Sequence, residues 1–174
     1  VDIEAWLQAK VADKFARAEG AAFISGTGVS QPRGFAAYTT AATADSSRSW
    51  GQLEHVKTGV NGDFAASTPA DHLFDLIGAF KTVYLQNARW VTRREVITKI
   101  RKFKESTTNG YIWQPGLQAG QPDRLLGYPV TMAQDMPTLA ADSLSLAFGD
   151  FREGYQIVDR IGMRTLRDPY TDKP

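Results

Sequence analysis

The fold is decided in the stretch Glu19-Gly-Ala-Ala-Phe-Ile-Ser-Gly-Thr-Gly-Val-Ser-Gln-Pro-Arg-Gly-Phe35, where a helical pattern gives way to turn-forming residues. Before it, apolar residues recur every four positions, at Ile3, Leu7, Val11 and Phe15. This spacing predicts an amphipathic helix from about Asp2 to Gly26, long enough to lie obliquely across a sheet or another helix. The glycines and the proline that follow predict an ordered loop.

Composition limits the classes of protein that this chain can belong to. Its 174 residues fit one domain, and 43% hydrophobic residues can form a packed core. A net charge of +1 does not favour a general nucleic-acid binder, and the absence of Cys excludes disulfides and thiolate chemistry. No apolar window is long enough for a membrane span. The chain begins at Val1 instead of Met, so we expect a processed or truncated protein.

The residues after the loop fall into two contrasting regions. Residues 36–63 are small and polar, so we expect an exposed excursion with little regular structure. Its expected anchors are Trp50, Leu53 and Val56. The run from Thr68 to Asp71 then predicts a helix start, with Thr as N-cap and Pro at the first helical position. The buried face of that helix is predicted to hold Leu73, Leu76, Ile77 and Phe80.

A second helix is predicted after Thr92, because Thr92 and Glu95 have capping-box spacing. Its inward residues are predicted to be Val96, Ile97, Ile100 and Phe103. The predicted strands are Ala88–Val91, Tyr111–Trp113, Leu125–Thr131, Leu144–Phe148 and Met163–Leu166. Gln114–Asp123 reads as a loop after a turn at Asn109-Gly110. Without regular βαβ alternation, the pattern predicts an α+β fold with a mixed sheet, its core including Trp90 and Val130.

No catalytic, cofactor-binding or metal-binding residue is predicted. A phosphate-binding loop needs Lys and Ser or Thr after its last glycine, but Phe35 follows Gly34 here. A dinucleotide fingerprint follows a strand, whereas the Gly26 loop follows a helix. His55 and His72 are the two histidines, and neither has a second ligand at helical spacing.

A basic segment and several aromatic residues allow more than one interpretation. Between Arg89 and Lys104 there are seven Lys or Arg and one acid. This segment is a solvated face, or a patch that meets acids on a neighbouring subunit or packaged nucleic acid. The aromatic residues sit among apolar residues and glycines, which favours core packing over base stacking. They are Tyr111, Trp113, Tyr128, Phe148, Phe151 and Tyr155.

In order and spacing, these motifs resemble the major capsid proteins of tailed bacteriophages, which have the Hong-Kong-97-type fold. In the first half, the matching residues are Glu19, Phe23-Ile24, Gly26, Gly28, Gln31-Pro32, Gly34-Phe35 and Trp90-Val91. In the second half they are Gly110-Tyr111-Ile112-Trp113, Leu125 to Val130, Met136-Pro137, Phe148 to Phe151, Tyr155 and Asp159-Arg160. No single motif is specific, but the ordered set covers nearly all of the chain.

The resemblance implies an α+β capsid fold divided into three parts. Residues 1–67 would be the end of the spine helix, the Gly-rich turn and the exposed excursion, with part of the peripheral domain. Residues 68–166 would be the axial domain, and residues 167–174 a return segment toward the peripheral domain. Members of the family are longer, so we expect that a longer parent closes shells while these 174 residues do not.

The implied function is structural, without enzymatic activity or cofactors. The protein would assemble with copies of itself into pentamers and hexamers of an icosahedral shell that encloses DNA. Scaffolding or protease proteins are possible partners, contact with packaged DNA would be weak and non-specific, and no membrane is involved. The shell would be assembled in the bacterial cytoplasm and end in the virion of a phage or prophage.

Three other hypotheses remain open from the sequence. An encapsulin-type bacterial compartment would share the fold. A nucleotide- or metal-dependent enzyme would use the Gly26 loop, and a nucleic-acid-binding module would use the basic helix. Titration with nucleotides or metals tests the enzyme, and salt-dependent DNA binding tests the module.

Because no convergent ligand set is predicted, we expect no binding of metals or nucleotides. Thermal unfolding of the chain should be unchanged by Zn²⁺, Mg²⁺, ATP or NAD, since a ligand that binds the native state raises its stability. A dose-dependent, saturating rise in unfolding temperature with any of the four would contradict this prediction.

Overall fold

The computed structural model describes residues 3–104, 110 and 123–158. The helices in these ranges are α1 (Ile3–Ser25), α2 (Asp71–Gly78), α3 (Arg94–Arg101) and α4 (Phe151–Gly154). The strands are β1 (Thr40–Ala41), β2 (Leu53–Glu54), β3 (Gly59–Val60), β4 (Asp63–Phe64), β5 (Arg89–Thr92), β6 (Arg124–Leu125), β7 (Tyr128–Met132) and β8 (Leu146–Gly149). Two 3₁₀ turns lie at Phe35–Ala37 and Thr82–Asn87. Helices beside a mixed sheet confirm the α+β prediction.

The central sheet has four strands in the order β6-β7-β5-β8. Strand β5 lies inside it, parallel to β7 and antiparallel to β8. Trp90 is opposite Val130 on β7 and opposite Phe148 on β8. Successive residues of a strand point to opposite faces, so β5 contributes to the cores on both sides of the sheet.

The larger core lies on the face that Trp90 occupies. Its indole nitrogen donates a 3.0 Å hydrogen bond to the carbonyl of Leu125, which satisfies the polar atom of a fully buried ring. Helix α3 packs onto this face through its predicted apolar stripe. The buried residues of this core are Phe64, Leu73, Trp90, Val96, Ile97, Ile100, Phe103 and Leu125, with Ile77, Val130 and Phe148 half-buried against them.

The predicted strand Leu125–Thr131 is in fact a hairpin. Leu126 and Gly127, both with positive φ, turn the chain between β6 and β7. Two central residues with positive φ match the right-handed twist of a tight hairpin. The prediction was wrong because Leu126 is an apolar residue in a turn position, and the apolar run conceals the break.

Both predicted helix caps were also wrong. The α3 helix begins at Arg94, and its capping residue Arg93 makes no side-chain cap. The hydroxyl of Thr92 instead donates a 2.8 Å hydrogen bond to the carbonyl of Ser145, because Thr92 is still in β5 and fully buried. Thr68 has a positive φ and contributes its carbonyl, not its side chain, to the turn that precedes α2.

The excursion contains more structure than predicted. Strands β1 and β2 pair in parallel, and β3 and β4 pair as a short antiparallel ladder. Of the three predicted anchors, Trp50 and Leu53 are exposed, so the prediction was wrong for them, while Val56 is half-buried. Polar contacts of the Arg48 side chain hold this segment in place instead.

Some predicted elements lie outside the described residues. They are the strands Tyr111–Trp113 and Met163–Leu166, the return segment 167–174 and most of the loop Gln114–Asp123. The strands predicted at Ala88–Val91 and Leu144–Phe148 correspond to β5 and β8, with ends shifted by one or two residues.

We expect Ile100→Asp to abolish cooperative unfolding. Ile100 is buried among the apolar residues beneath β5, where an unpaired carboxylate costs more than about 4 kcal/mol. Thr98→Asp, on the exposed side of the same helix, is the control and should unfold cooperatively. Chemical denaturation followed by circular dichroism measures both, and a cooperative transition in Ile100→Asp would contradict the assignment of the buried face.

Candidate functional site

Helix α1 projects from the rest of the described chain. Its 23 residues span roughly 34 Å at the usual rise per residue. Residues 3–19 are all exposed, and its buried residues are Ala22 and Ile24 in the last two turns. The helix is therefore attached at its C-terminal end alone within the described residues.

The apolar stripe of α1 lies on this exposed part. Its large apolar side chains keep between 39% and 74% of their surface exposed, and they are Ile3, Trp6, Leu7, Val11 and Phe15. Lys10 lies over the Trp6 ring, with its ammonium 5.9 Å from the ring centre. The predicted helix is confirmed, but no described element of the chain covers its stripe. An apolar face of this length is typical of a surface that is covered in an assembly.

The Gly-rich loop closes tightly on the end of α1. The amide of Gly26 donates to the carbonyl of Ala22 at 2.8 Å, and the amide of Gly34 donates to the carbonyl of Gly26 at 2.9 Å. Gly34 has ordinary extended dihedrals, yet an added Cβ would overlap the backbone of Ile24. Glycine is required here by close backbone packing, which supports the prediction of a structural turn.

Below this turn, a second core joins α1 to the other face of the sheet. Ile24 packs with Val91 of β5 and with Met136, which is fully buried. Phe35 and Phe151 pack edge to face with their ring centres 5.1 Å apart. The end of α1 and the sheet are therefore joined by an apolar cluster that is separate from the larger core.

Tyr155 completes the junction. Its ring lies edge to face against Phe23 and Phe35, with centres 6.4 Å and 6.2 Å away. Its hydroxyl donates a 2.8 Å hydrogen bond to the carbonyl of Arg33. Burial, with a smaller contribution from Tyr38, raises the pKa of Tyr155 above its ordinary value. The Arg33 guanidinium stacks 4.2 Å from the Tyr38 ring centre.

The two histidines do not converge on a site for chemistry. Both line a cavity of about 630 Å³ that runs beside β8, between the excursion and α2. Its walls include apolar side chains of Leu73, Leu76 and Phe148. Within the described ranges, no three His, Asp or Glu side chains form a group that could hold a metal ion. None of the described helices is long and apolar enough to span a membrane.

Part of the basic segment is neutralised within the chain. Lys99 pairs with Asp63, and the Arg101 guanidinium lies 2.5 Å from the Asp123 carboxylate. The hydrogen bond from Lys99, with a smaller one from the Phe64 amide, lowers the pKa of Asp63. These pairs tie α3 to β4 and to the start of β6, so the segment serves the fold in part.

The excursion carries a second exposed feature that the sequence did not indicate. The largely buried Arg48 guanidinium contacts the carbonyls of Thr43 and Gln52 and the carboxylates of Asp45 and Glu54. Two residues later the Trp50 ring is fully exposed, at 102% of its reference surface. An ordered loop thus presents a large aromatic side chain to solvent. No periodicity marks such a loop, because its contacts are polar and local.

The chain was compared with known families and structures. The model of the phage capsid family matches residues 1–174. The capsid of an empty GTA particle (a phage-like gene transfer agent), computed with C5 symmetry, is 46% identical with a TM-score of 0.87, covering 98% of this chain and 57% of that chain. The capsid of a native GTA particle is also 46% identical with a TM-score of 0.77, covering 87% and 55%. This chain thus spans little more than half the length of those capsid chains. No curated protein sequence matches it.

The tight turn at the end of α1 yields a stability prediction. Gly34→Ala should lower the free energy of unfolding by about 1–3 kcal/mol, because the new methyl group overlaps the Ile24 backbone. Gly20→Ala is the matched control, since nothing lies within 4 Å of its Cβ position. Alanine should raise stability there by up to about 1 kcal/mol through its helix propensity. Urea denaturation measures both, and equal effects would contradict the closed turn.

Proposed function

The chain belongs to the phage capsid family, and we propose that it is the major capsid protein of a phage-like particle, forming the wall of an icosahedral shell. The observation that most supports this is its 46% identity to a solved capsid over 98% of its own length. A shell subunit needs a rigid core and exposed surfaces that meet copies of itself. The chain has both, in the two packed faces of the sheet and in the uncovered stripe of α1.

The domain assignment follows from the same proposal. Residues 68–166 form the axial domain, built on the four-stranded sheet. Residues 1–67 form the end of the spine helix, the Gly-rich turn and the excursion, with part of the peripheral domain. The junction of Ile24, Val91 and Met136 is where the spine helix meets the axial domain.

The partners of the protein are copies of itself, arranged in pentamers and hexamers. The α1 stripe is buried in the assembled particle, because several large apolar side chains on one helix face cost free energy while they remain in water. Contact with packaged DNA is weak, since Lys99 and Arg101 are already paired with acids of the same chain.

A structural role also accounts for the chemistry of the chain. The conspicuous polar contacts, such as the Arg48 cluster, hold loops in place. We propose that the protein acts without enzymatic activity, is assembled in the bacterial cytoplasm and ends in the virion.

The experiment is to express the complete gene product that carries residues 1–174 and to examine it by electron microscopy. We expect uniform closed shells. Leu7→Asp, on the α1 stripe, should abolish them, because a carboxylate would have to be buried in the assembly. Ala9→Asp is the matched control, since it places the same charge about 200° around the same exposed helix.

The two variants also separate assembly from folding. Both positions are exposed, so both variants should give the helix content of the parent by circular dichroism. Shells from Leu7→Asp would contradict burial of the stripe. Absence of any shell from the unmodified gene product, under conditions where it is folded and soluble, would contradict the proposed function.

A further inference from the structure

We infer that Tyr155 is the positioning residue that fixes the angle between α1 and the central sheet, and that this angle sets the curvature of the wall. Its hydroxyl bonds the carbonyl of Arg33, 122 residues earlier in the chain. The part that concerns curvature rests on the proposed function. The inference about the angle between α1 and the central sheet rests on the structure of this chain alone.

A small rotation at the base of α1 moves its far end by a large distance. Helix α1 is held at its last two turns, and about 28 Å of helix extends beyond Ala22, its first buried residue. A rotation of about 10° at the junction would move the far end by roughly 5 Å, which is one helical turn along a packed neighbour. A contact that restricts rotation at the base therefore determines where the exposed stripe lies.

The end of α1 and the Gly-rich turn form one unit. The hydrogen bonds of Gly26 and Gly34 and a bridge between Thr27 and Arg33 join the turn to the helix. Arg33 therefore moves with α1. A bond to its carbonyl from Tyr155 restrains the whole helix.

Within the described ranges, the other contacts between the end of α1 and the sheet domain are apolar. Ile24, Phe23 and Phe35 meet the sheet and α4 through apolar surfaces. Apolar contact is non-directional, whereas a hydrogen bond requires a defined distance and angle. Among the described residues, the Tyr155 hydroxyl makes the one side-chain hydrogen bond that joins residues 19–34 to the sheet domain. It is therefore the directional restraint of the junction.

The position of Tyr155 suits this role. It follows α4, a single turn whose first amide groups are capped by the buried Asp150, with the Arg152 amide donating to its carboxylate at 3.0 Å. Asp150 follows β8 directly, so the Tyr155 ring is connected to the edge of the sheet by five residues of ordered chain. The restraint thus runs from the sheet to α1 without a long loop.

A change in the angle between α1 and the sheet can be followed as a change in the distance between two labelled positions. Because the chain has no Cys, two introduced cysteines can carry spin labels without background labelling. We choose Lys14→Cys on α1 and Arg94→Cys at the start of α3, both exposed. Pulsed electron paramagnetic resonance then gives the distribution of distances between the labels. In the parent we expect one narrow distribution.

Tyr155→Phe removes the hydroxyl and keeps the ring, so the apolar packing remains. We expect the distance distribution to broaden or shift by several ångströms, with unchanged helix content. Tyr84→Phe is the matched control, because it removes a hydroxyl from a half-exposed ring on the 3₁₀ turn Thr82–Asn87 and should leave the distribution unaltered. Identical distributions for Tyr155→Phe and the parent would overturn the inference.

A second arm tests curvature in the complete gene product. Tyr155→Phe should give particles of mixed diameter or open sheets where the parent gives uniform shells. A changed angle with uniform shells of parental size would overturn the link to curvature. If the parent itself formed no shells, the proposed function would fail while the spin-label result would still decide the role of Tyr155.

Discussion

The structure depends on the requirement that a four-residue strand, β5, be buried on both faces. Trp90 and Thr92 face the larger core, and Val91 faces the smaller one. Each polar atom that this burial encloses has a partner, with the Trp90 indole bonded to Leu125 and the Thr92 hydroxyl to Ser145. An unsatisfied polar group at either place would cost about 1–3 kcal/mol, so the hairpin β6–β7 and the start of β8 are fixed by β5.

The two faces of β5 have different roles because different helices cover them. On the Trp90 face, Val96, Ile97 and Ile100 of α3 are buried in the larger core together with residues of other elements of the same chain. The Val91 face receives Ile24 from the end of α1, together with Met136, Phe35 and Phe151. Strand β5 therefore contributes to the larger core and also holds the C-terminal end of α1. A displacement of Val91 or Met136 would be transmitted to α1, since Ile24 contacts both in one close-packed cluster.

Much of this fold could be predicted from residue patterns. The 3.6-residue period located α1 and the buried face of α3, and the α+β class followed from the order of elements. The cap predicted at Thr92 was wrong because its hydroxyl bonds Ser145, 53 residues away, which local spacing cannot reveal. The hairpin at Leu126 was not predicted because an apolar residue occupies a position with left-handed backbone dihedrals. The Arg48 cluster was missed because polar contacts to backbone carbonyls have no sequence period.

At the candidate site, residue patterns could not predict which apolar face would stay exposed. Helices α1 and α3 both have apolar residues at helical spacing, yet those of α3 are buried by its own chain while those of α1 are exposed. Periodicity states that a face will be covered, but it does not state which molecule covers it. That distinction depends on where the chain is attached. Gly34 and Tyr155 attach α1 at one end, which directs its stripe away from the sheet. An apolar face that its own chain leaves uncovered remains available for contact with another copy in an assembly.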